Sequence, residues 1–261
     1  MRQVLGRKQG MKPEDEKIWW NVINHIDEYV SANEVERATD IARARILKMT
    51  DGKKAAYSWS GGKDSLAIAA LCQSVGIYKC QCFFTDLEFP AWKKFLFEHA
   101  PAGCEMVNVG FGLDYLVEHP DMIFPHGKTA LRWPQQVQRA QFIRHLLGTD
   151  IDVLITGHRL IDGNDNCGTN GIRRKAGGKI LFAPIFDWTH EMLFAFLHYN
   201  QIELPFIYKW NRGFFEGTHL WVERFNYQQV YDIDPTVVIN AAKKLPSAKK
   251  FLEELTNANS H

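Results

Sequence analysis

The sequence lacks an excess of charge of either sign, because its 31 basic residues face 30 acidic ones. A net charge of +1 gives no general argument for binding nucleic acid or an anionic membrane, although it allows a local basic patch. No apolar run approaches the roughly 20 residues of a membrane-spanning helix, and residues 1–8 lack the apolar stretch of a signal peptide. We therefore expect a cytoplasmic protein with no membrane partner.

Cysteine is also scarce, and its spacing does not fit the familiar metal-binding motifs. No C-x-x-C pair occurs, so we expect neither a zinc site nor an iron–sulfur cluster. Most of the thiols are predicted to be structural. Cys167 lies in a polar Gly/Asn stretch and is the one thiol to test for reactivity, and no cysteine follows it. The five cysteines are Cys72, Cys80, Cys82, Cys104 and Cys167.

A glycine-rich hexapeptide, Ser60-Gly61-Gly62-Lys63-Asp64-Ser65, stands between an apolar strand (54–59) and a helix (64–75). The first amides of a helix have no backbone partner and lie at the positive end of its dipole. Two glycines let the chain turn tightly and let a ligand approach the backbone. The two serines add hydroxyl groups, and Lys63 adds a mobile positive charge. Together these features predict a phosphate-binding site.

This hexapeptide is not the Walker phosphate loop G-x-x-x-x-G-K-S/T, because Asp64 follows Lys63 and Tyr57 stands five residues before Gly62. A generic strand-to-helix turn with a capping Ser or Asp is the alternative. The hexapeptide resembles the S-G-G-x-D-S turn, or PP-loop, of the adenine nucleotide alpha hydrolases.

Strands and helices alternate through the middle of the chain, which predicts an α/β fold. We expect a Rossmann-like, doubly wound, mainly parallel sheet of five strands. An N-terminal helical extension (1–50), a nucleotide-binding core (51–210) and an irregular and helical C-terminal extension (211–261) complete the chain. The predicted strands are 54–59, 79–85, 105–109, 152–156 and 180–183, and the predicted helices of the core are 64–75, 90–99, 113–119, 134–147 and 189–199.

Ligands of such sheets bind at the carboxyl ends of the strands. The predicted strands one, two and four end near Ser58, at Thr85-Asp86 and before Gly157-His-Arg159. These residues are therefore candidates for binding the nucleotide.

Two of these strand ends resemble stretches of the phosphoadenosine phosphosulfate (PAPS) reductase family. Phe84-Thr-Asp-Leu-Glu-Phe-Pro90 resembles D-T-G/L-x-E/F-F-P, with Leu87 where the family often has glycine. The resemblance implies that Thr85 and Asp86 hold adenosine, with Asp86 near the ribose or the water shell of Mg²⁺; a helix N-cap is the alternative for Asp86. Val153–Arg159 resembles the family's strand followed by G-x-R, which implies that Arg159 binds phosphate or sulfate oxygens, unless it is a surface arginine.

A basic segment, Arg173-Arg-Lys-Ala-Gly-Gly-Lys179, lies where family members carry loops that close on phosphates. The resemblance makes Arg173 and Arg174 candidate nucleotide contacts. The same segment could bind a protein or nucleic-acid partner, or remain solvated. Two further segments, 184–190 and 202–208, resemble architectural parts of the family, and there Thr189 is predicted to cap a helix.

The sequence departs from the reductases late in the chain. PAPS reductases carry an E-C-G-I/L-H segment whose cysteine attacks sulfur, whereas Gly217-Thr-His-Leu220 offers no thiol. Reduction of a sulfonucleotide is therefore not the expected reaction.

We expect instead an enzyme that cleaves ATP between its α- and β-phosphates and transfers AMP to an unidentified acceptor. Lys63 and Ser65 would hold the leaving phosphates, Arg159 would steady the α-phosphate, and Mg²⁺ would lie near Asp64 or Asp86. Two alternatives stay open. One is reduction of PAPS with an external thiol, and the other is a nucleotide-binding module that acts with a partner. A homo-oligomer is compatible with all three.

Overall fold

The computed structural model describes residues 4–6, 14–133, 139–163, 168–210, 213–214, 217–222 and 225–258. Its strands are β1 (Ala55–Ser58), β2 (Cys80–Phe84), β3 (Glu105–Asn108), β4 (Val153–Ile155), β5 (Ile172–Arg174) and β6 (Ile180–Phe182). Its α-helices are α1 (Asp15–Asn24), α2 (Ala32–Thr50), α3 (Lys63–Ser74), α4 (Pro90–His99), α5 (Leu113–Glu118), α6 (Arg139–Leu147), α7 (His190–Tyr199), α8 (Tyr227–Ile233), α9 (Pro235–Ala241) and α10 (Pro246–Ala258). Short 3-10 helices are formed by Ile26–Glu28, Pro120–Met122, Thr129–Leu131, Leu160–Asp162, Ala176–Gly178 and Phe206–Lys209.

The strands form one sheet in the order β3-β2-β1-β4-β6-β5. β1 pairs in parallel with β2 and β4, and β4 pairs in parallel with β6. The predicted α/β fold with a mainly parallel sheet is therefore confirmed, but the predicted number of five strands is wrong. The strand that was not predicted, β5, runs antiparallel to β6 at the sheet edge. It has three residues, two of them arginines, so no apolar pattern marks it in the sequence.

The sheet order reverses beside β1, because β2 lies on one side of it and β4 on the other. This reversal is the switch point at which open α/β sheets bind ligands, at the carboxyl ends of the strands. The chain leaves β1 into the hexapeptide turn and leaves β4 into Gly157. The topology therefore brings the predicted phosphate turn and the residues after β4 to the same edge.

Two compact units divide the chain. The first contains residues 1–83, 99–107 and 145–215, and the second contains residues 84–98, 108–144 and 216–261. In the first unit, α2 and α3 pack against each other and against α7, whose residues from His190 to Leu197 are all buried. Helix α1 also packs on α7, with the Trp19 and Phe194 ring centroids 6.0 Å apart. No helix in the described segments is long and apolar enough to cross a membrane.

Helix caps account for several boundaries. The Thr189 side chain accepts from the Met192 amide, so the predicted cap of α7 is confirmed. The C-terminal extension (211–261), predicted to be irregular and helical, contains α8, α9 and α10. Asn226 and Gln229 form a capping box at the start of α8. The predicted start of α6 at Pro134 lies outside the described residues, as does Cys167.

Strand β4 and the start of α3 approach so closely that Gly157 has no space for a side chain. A Cβ there would lie 2.8 Å from the Cβ of Asp64 and 2.9 Å from its carbonyl carbon. Part of this contact is backbone, so rotation of a side chain cannot relieve it.

We predict that Gly157→Ala lowers the free energy of unfolding by about 1–3 kcal/mol, because the added methyl group overpacks the contact with α3. Urea denaturation measures the change. Gly6→Ala is the matched control, because nothing lies within 4 Å of a Cβ at that position. Equal stability of the two variants would contradict this account.

Asp150 joins the amino ends of neighbouring strands through two exposed lysines. Its carboxylate contacts Lys79 Nζ at 3.0 Å and Lys54 Nζ at 3.1 Å. Hydrogen bonds from Lys79 and Lys54 lower the pKa of Asp150 from 3.8 to about 2. A lowered folded-state pKa stabilises the protein above the unfolded value, and this contribution is lost as the pH falls through the folded value.

We predict that the stability difference between the protein and Asp150→Asn is full above a pH of about 4 and shrinks as the pH falls from 3.8 towards about 2. The difference should also shrink with added salt, because the three side chains are exposed. The NMR titration of the Asp150 carboxyl carbon checks the cause directly. A midpoint near 3.8 in the folded protein would refute it.

Candidate nucleotide-binding site

The hexapeptide turn connects the end of β1 to the first turn of α3. Gly61 has a φ of +71°, a conformation that favours glycine, and Gly62 is extended and precedes the first helical residue. Ser65 is buried, and its hydroxyl donates to the Gly62 carbonyl at 2.9 Å. The structure therefore has the tight strand–turn–helix geometry that the sequence predicts. Binding of phosphate by Ser58, Ser60, Gly61, Gly62 and Ser65 stays a prediction.

Lys63 is not the mobile charge that the sequence suggests. Its side chain is fully buried, and Nζ lies 2.5 Å from Oδ2 of Asp64. A buried ammonium group is costly unless a partner compensates for its lost hydration. Asp64 therefore holds Lys63 at the start of α3, where the nearby amides also favour an anion.

Arg159 is buried as well, so the alternative of a surface arginine is wrong. Its Nε donates to Oδ1 of Asp64 at 2.8 Å, and Nη1 donates to the Thr189 carbonyl at 3.0 Å. Nη2 lies 3.1 Å from Asp162 Oδ2 and 3.1 Å from His190 Nδ1. All three guanidinium nitrogens thus have protein partners. Arg159 is therefore held by side chains and a carbonyl from the start of α3, the segment after β4 and the start of α7.

Asp64 is the common partner of the two buried cations. One carboxylate oxygen accepts from Lys63 and the other from Arg159. With Asp162, the four side chains form a chain of alternating charge whose formal sum is zero. Gly157 makes this arrangement sterically possible, because its lack of a side chain lets the segment after β4 lie next to the backbone of Asp64.

Tyr208 and His190 also belong to the site, and reasoning from the sequence missed both. The Lys63 amide donates to the Tyr208 hydroxyl at 3.0 Å. Burial raises the pKa of the Tyr208 phenol. His190 is fully buried beside Arg159, and its ring centroid lies 4.7 Å from that of Trp19. Both residues lie in segments that resemble architectural parts of the PAPS reductases, which was the only signal for them.

Asp86 lies in the second compact unit and has partners of its own. Its carboxylate accepts from Lys93 and, at 3.3 Å, from Asn108 Nδ2. The hydrogen bond from Lys93 lowers the pKa of Asp86. The alternative of an N-cap is wrong, because α4 begins four residues later at Pro90. Thr85 is fully buried, and its hydroxyl accepts from the Leu87 amide at 3.1 Å; contacts of either residue with adenosine stay predictions.

The second unit also contains a buried acid–imidazole pair that the sequence did not reveal. His219 Nε2 lies 3.0 Å from Glu88 Oε1, and their side chains are 11% and 3% exposed. The Trp133 ring centroid lies 5.7 Å from that of His219. His219 belongs to Gly217-Thr-His-Leu220, the stretch that the sequence offers in place of a cysteine segment only as an expectation, and its imidazole packs against the Glu88 carboxylate.

The basic segment is not a loop over the phosphate turn. Arg173 and Arg174 belong to β5, and Arg174 pairs with Ile180 at the amino end of β6. β5 is three strands away from β1, which is about 14 Å at the usual strand spacing. Lys179 donates to the carbonyls of Thr149 and Ile151 at 2.7 Å each. The structure therefore does not bring these side chains to the turn.

The two carboxylates predicted near Mg²⁺ already accept from cations, Asp64 from Lys63 and Arg159, and Asp86 from Lys93. No cluster of three or more potential metal ligands occurs among the described residues. The donor set thus does not form a cation site of its own, and a magnesium ion would have to bind mainly through the phosphates of a nucleotide.

Comparisons with solved structures return proteins of low identity. A phosphate complex of phosphoadenylyl-sulfate (PAPS) reductase from Candida auris is 15% identical, with 70% of this chain and 90% of that chain covered and a TM-score of 0.45. An NH3-dependent NAD synthetase from Campylobacter jejuni, in complex with nitrate, is 11% identical, with 87% and 94% covered and a TM-score of 0.46. The NAD+ synthetase from Burkholderia pseudomallei is 14% identical, with 66% and 76% covered and a TM-score of 0.41.

No curated protein matches the sequence. The profile of the phosphoadenosine phosphosulfate reductase domain, however, matches residues 54–215, which is well over half of the chain. This range contains the hexapeptide turn, Asp64, Arg159 and Tyr208. The chain therefore belongs to the phosphoadenosine phosphosulfate reductase domain family of the PP-loop adenine nucleotide alpha hydrolases.

Proposed function

We propose that the protein binds ATP at the hexapeptide turn, cleaves the bond between the α- and β-phosphates and transfers AMP to an acceptor. The observation that carries this proposal is the buried chain Lys63–Asp64–Arg159 at the start of α3. A buried lysine beside helix amides is suited to a polyphosphate, because the ammonium group can exchange a carboxylate partner for a phosphate one. The absence of cysteine after Cys167 supports chemistry at phosphorus rather than sulfur.

In the proposed reaction an acceptor oxygen forms a bond to the α-phosphorus, and the bond to the bridging oxygen of the β-phosphate breaks. Pyrophosphate leaves with the electron pair of that bond. The turn amides, Ser60, Ser65 and Lys63 hold the leaving phosphates and stabilise their growing charge. Arg159 acts as a positioning residue, since its guanidinium is committed to Asp64 and the start of α7. Mg²⁺, when bound to the phosphates, would neutralise part of their charge.

An acceptor that is already an anion, such as a carboxylate or sulfate, needs no general base. The acceptor itself is not identified by the site. Carboxylic acids and sulfate are therefore the acceptor classes to test first.

We predict that Lys63→Met reduces pyrophosphate release about 10²–10³-fold, because an oxyanion partner of the leaving group is lost. The assay follows pyrophosphate and AMP from ATP and Mg²⁺ with each acceptor class. Lys79→Met is the matched control, because that lysine pairs with Asp150 and is half exposed. Thermal melting checks that both variants fold.

Tight binding of ATP without cleavage by any acceptor would contradict the proposed reaction. It would instead favour a nucleotide-binding module that acts with a protein or nucleic-acid partner. That role predicts turnover only when a partner is present, and any binding of nucleic acid should weaken steeply with salt.

Reduction of PAPS by an external dithiol is the second candidate, and the family match favours it. In that reaction the sulfonyl sulfur gains two electrons and leaves as sulfite, the dithiol becomes a disulfide, and adenosine 3′,5′-bisphosphate is released. We predict no sulfite from PAPS and reduced thioredoxin, because no thiol follows Cys167 in the sequence. Sulfite release at a steady rate would establish the second candidate and refute the first.

A further inference from the structure

Tyr208 lies at the hexapeptide turn, where its hydroxyl contacts a backbone amide that a bound phosphate would also approach. It lies on the 3-10 helix Phe206–Lys209 and is 7% exposed. Its hydroxyl oxygen accepts the hydrogen bond of the Lys63 amide at 3.0 Å. That amide is one of the first amides of α3, which have no carbonyl partner within the helix. A side chain from a distant segment therefore caps one of the amides that would attract a phosphate.

The hydroxyl proton of Tyr208 is available for a further hydrogen bond. A phenol that accepts one hydrogen bond can still donate its own proton. In the segments that the structure describes, the Tyr208 hydroxyl accepts from Lys63 and donates to no protein group. Burial and the nearby charge of Asp64 raise the pKa of the phenol, so it keeps this proton at neutral pH. A buried donor without an acceptor is unusual in a folded protein and is a common property of ligand sites.

Neighbouring residues fix the ring and place its hydroxyl beside Gly62 of the turn. A Cβ on Gly213 would lie 2.9 Å from Tyr208 Cα, so the chain returns tightly against this residue. The ring centroids of Phe214 and Tyr208 lie 5.2 Å apart. On the other side, a Cβ on Gly62 would lie 3.4 Å from the hydroxyl oxygen, so a side chain at this position would contact the hydroxyl.

We propose that Tyr208 is a phosphate-binding residue whose hydroxyl donates a hydrogen bond to a β- or γ-phosphate oxygen while it holds the Lys63 amide. This inference rests on the proposed binding of ATP at the turn. It adds a neutral donor to a site whose two cations are both paired with carboxylates. A neutral donor would help to bind the leaving phosphates without changing the zero net charge of the four charged side chains.

The test compares Tyr208→Phe with the unchanged protein by isothermal titration with ATP, pyrophosphate and AMP. One lost hydrogen bond to a charged oxygen predicts a roughly tenfold weaker Kd for ATP and pyrophosphate. The Kd of AMP should change less than about twofold, because AMP lacks the β- and γ-phosphates. A loss confined to ligands with the pyrophosphate group is not expected from general loosening of the fold.

Tyr199→Phe is the matched control. It removes a hydroxyl that donates to the Val30 carbonyl at 3.2 Å, in the same compact unit but not at the turn. Gly62→Ala is the second variant, which places a methyl group 3.4 Å from the Tyr208 hydroxyl and removes no packing. Should thermal melting show that Tyr208→Phe does not fold, the same titrations of Gly62→Ala decide. Weaker binding of ATP and pyrophosphate with little change for AMP supports the inference, and unchanged binding of all three ligands overturns it.

Unchanged binding of ATP and pyrophosphate by Tyr208→Phe would overturn the inference. Tighter binding would overturn it too, because the hydroxyl would then compete with the ligand rather than donate to it. An equal loss for AMP and ATP would assign the effect to the fold. If the unchanged protein binds neither ATP nor pyrophosphate, the proposed function fails together with this inference, and that result is visible before any variant is made.

Discussion

The site depends on the ion pairs that Asp64 makes with two buried cations. Lys63 and Arg159 are both fully buried, and a buried cation is costly unless a carboxylate compensates for its lost hydration. Removing that carboxylate would break the Lys63–Asp64 ion pair and leave Arg159 with Asp162 as its carboxylate partner. The close contact at Gly157, the capped start of α7 and the hydroxyl of Tyr208 all surround this carboxylate. The chemistry proposed for the turn and the packing of the first unit therefore rest on the same interaction.

The alternating charges also determine how a nucleotide would be bound. The four charged side chains, from Lys63 through Asp64 and Arg159 to Asp162, have a formal net charge of zero. Attraction of a polyphosphate must therefore come from the helix amides and from the exchange of ion-pair partners. In the proposed reaction Lys63 would exchange Asp64 for a phosphate, while Arg159 would keep Asp64 compensated. This division of roles would let the turn change partners without leaving a buried charge unpaired. It also explains why a lysine and an arginine, rather than two flexible lysines, suit these positions.

Much of this architecture could be predicted from local sequence. The hexapeptide indicates its own strand–turn–helix geometry, and the apolar strands give the sheet. Strand β5 could not be predicted, because its three residues carry no apolar pattern and it is defined by pairing with β6. The burial of Lys63 and the contact of Tyr208 with its amide depend on segments about 145 residues apart. Such tertiary contacts leave no periodicity or spacing in a single sequence. Asn226 and Gln229, by contrast, are a local signal that predicts α8 when the capping pattern is considered.

The most direct test of the central claim is a crystal structure of the protein with Mg²⁺ and an ATP analogue that cannot be cleaved between the α- and β-phosphates. The account predicts that the β- and γ-phosphates lie within hydrogen-bond distance of the amides of Gly61, Gly62, Asp64 and Ser65, with the Lys63 amide still bound to Tyr208. It also predicts that Lys63 Nζ has moved from Asp64 to a phosphate oxygen, with Arg159 still bound to Asp64. A triphosphate bound elsewhere, or one at the turn with the Lys63–Asp64 pair intact, would contradict it.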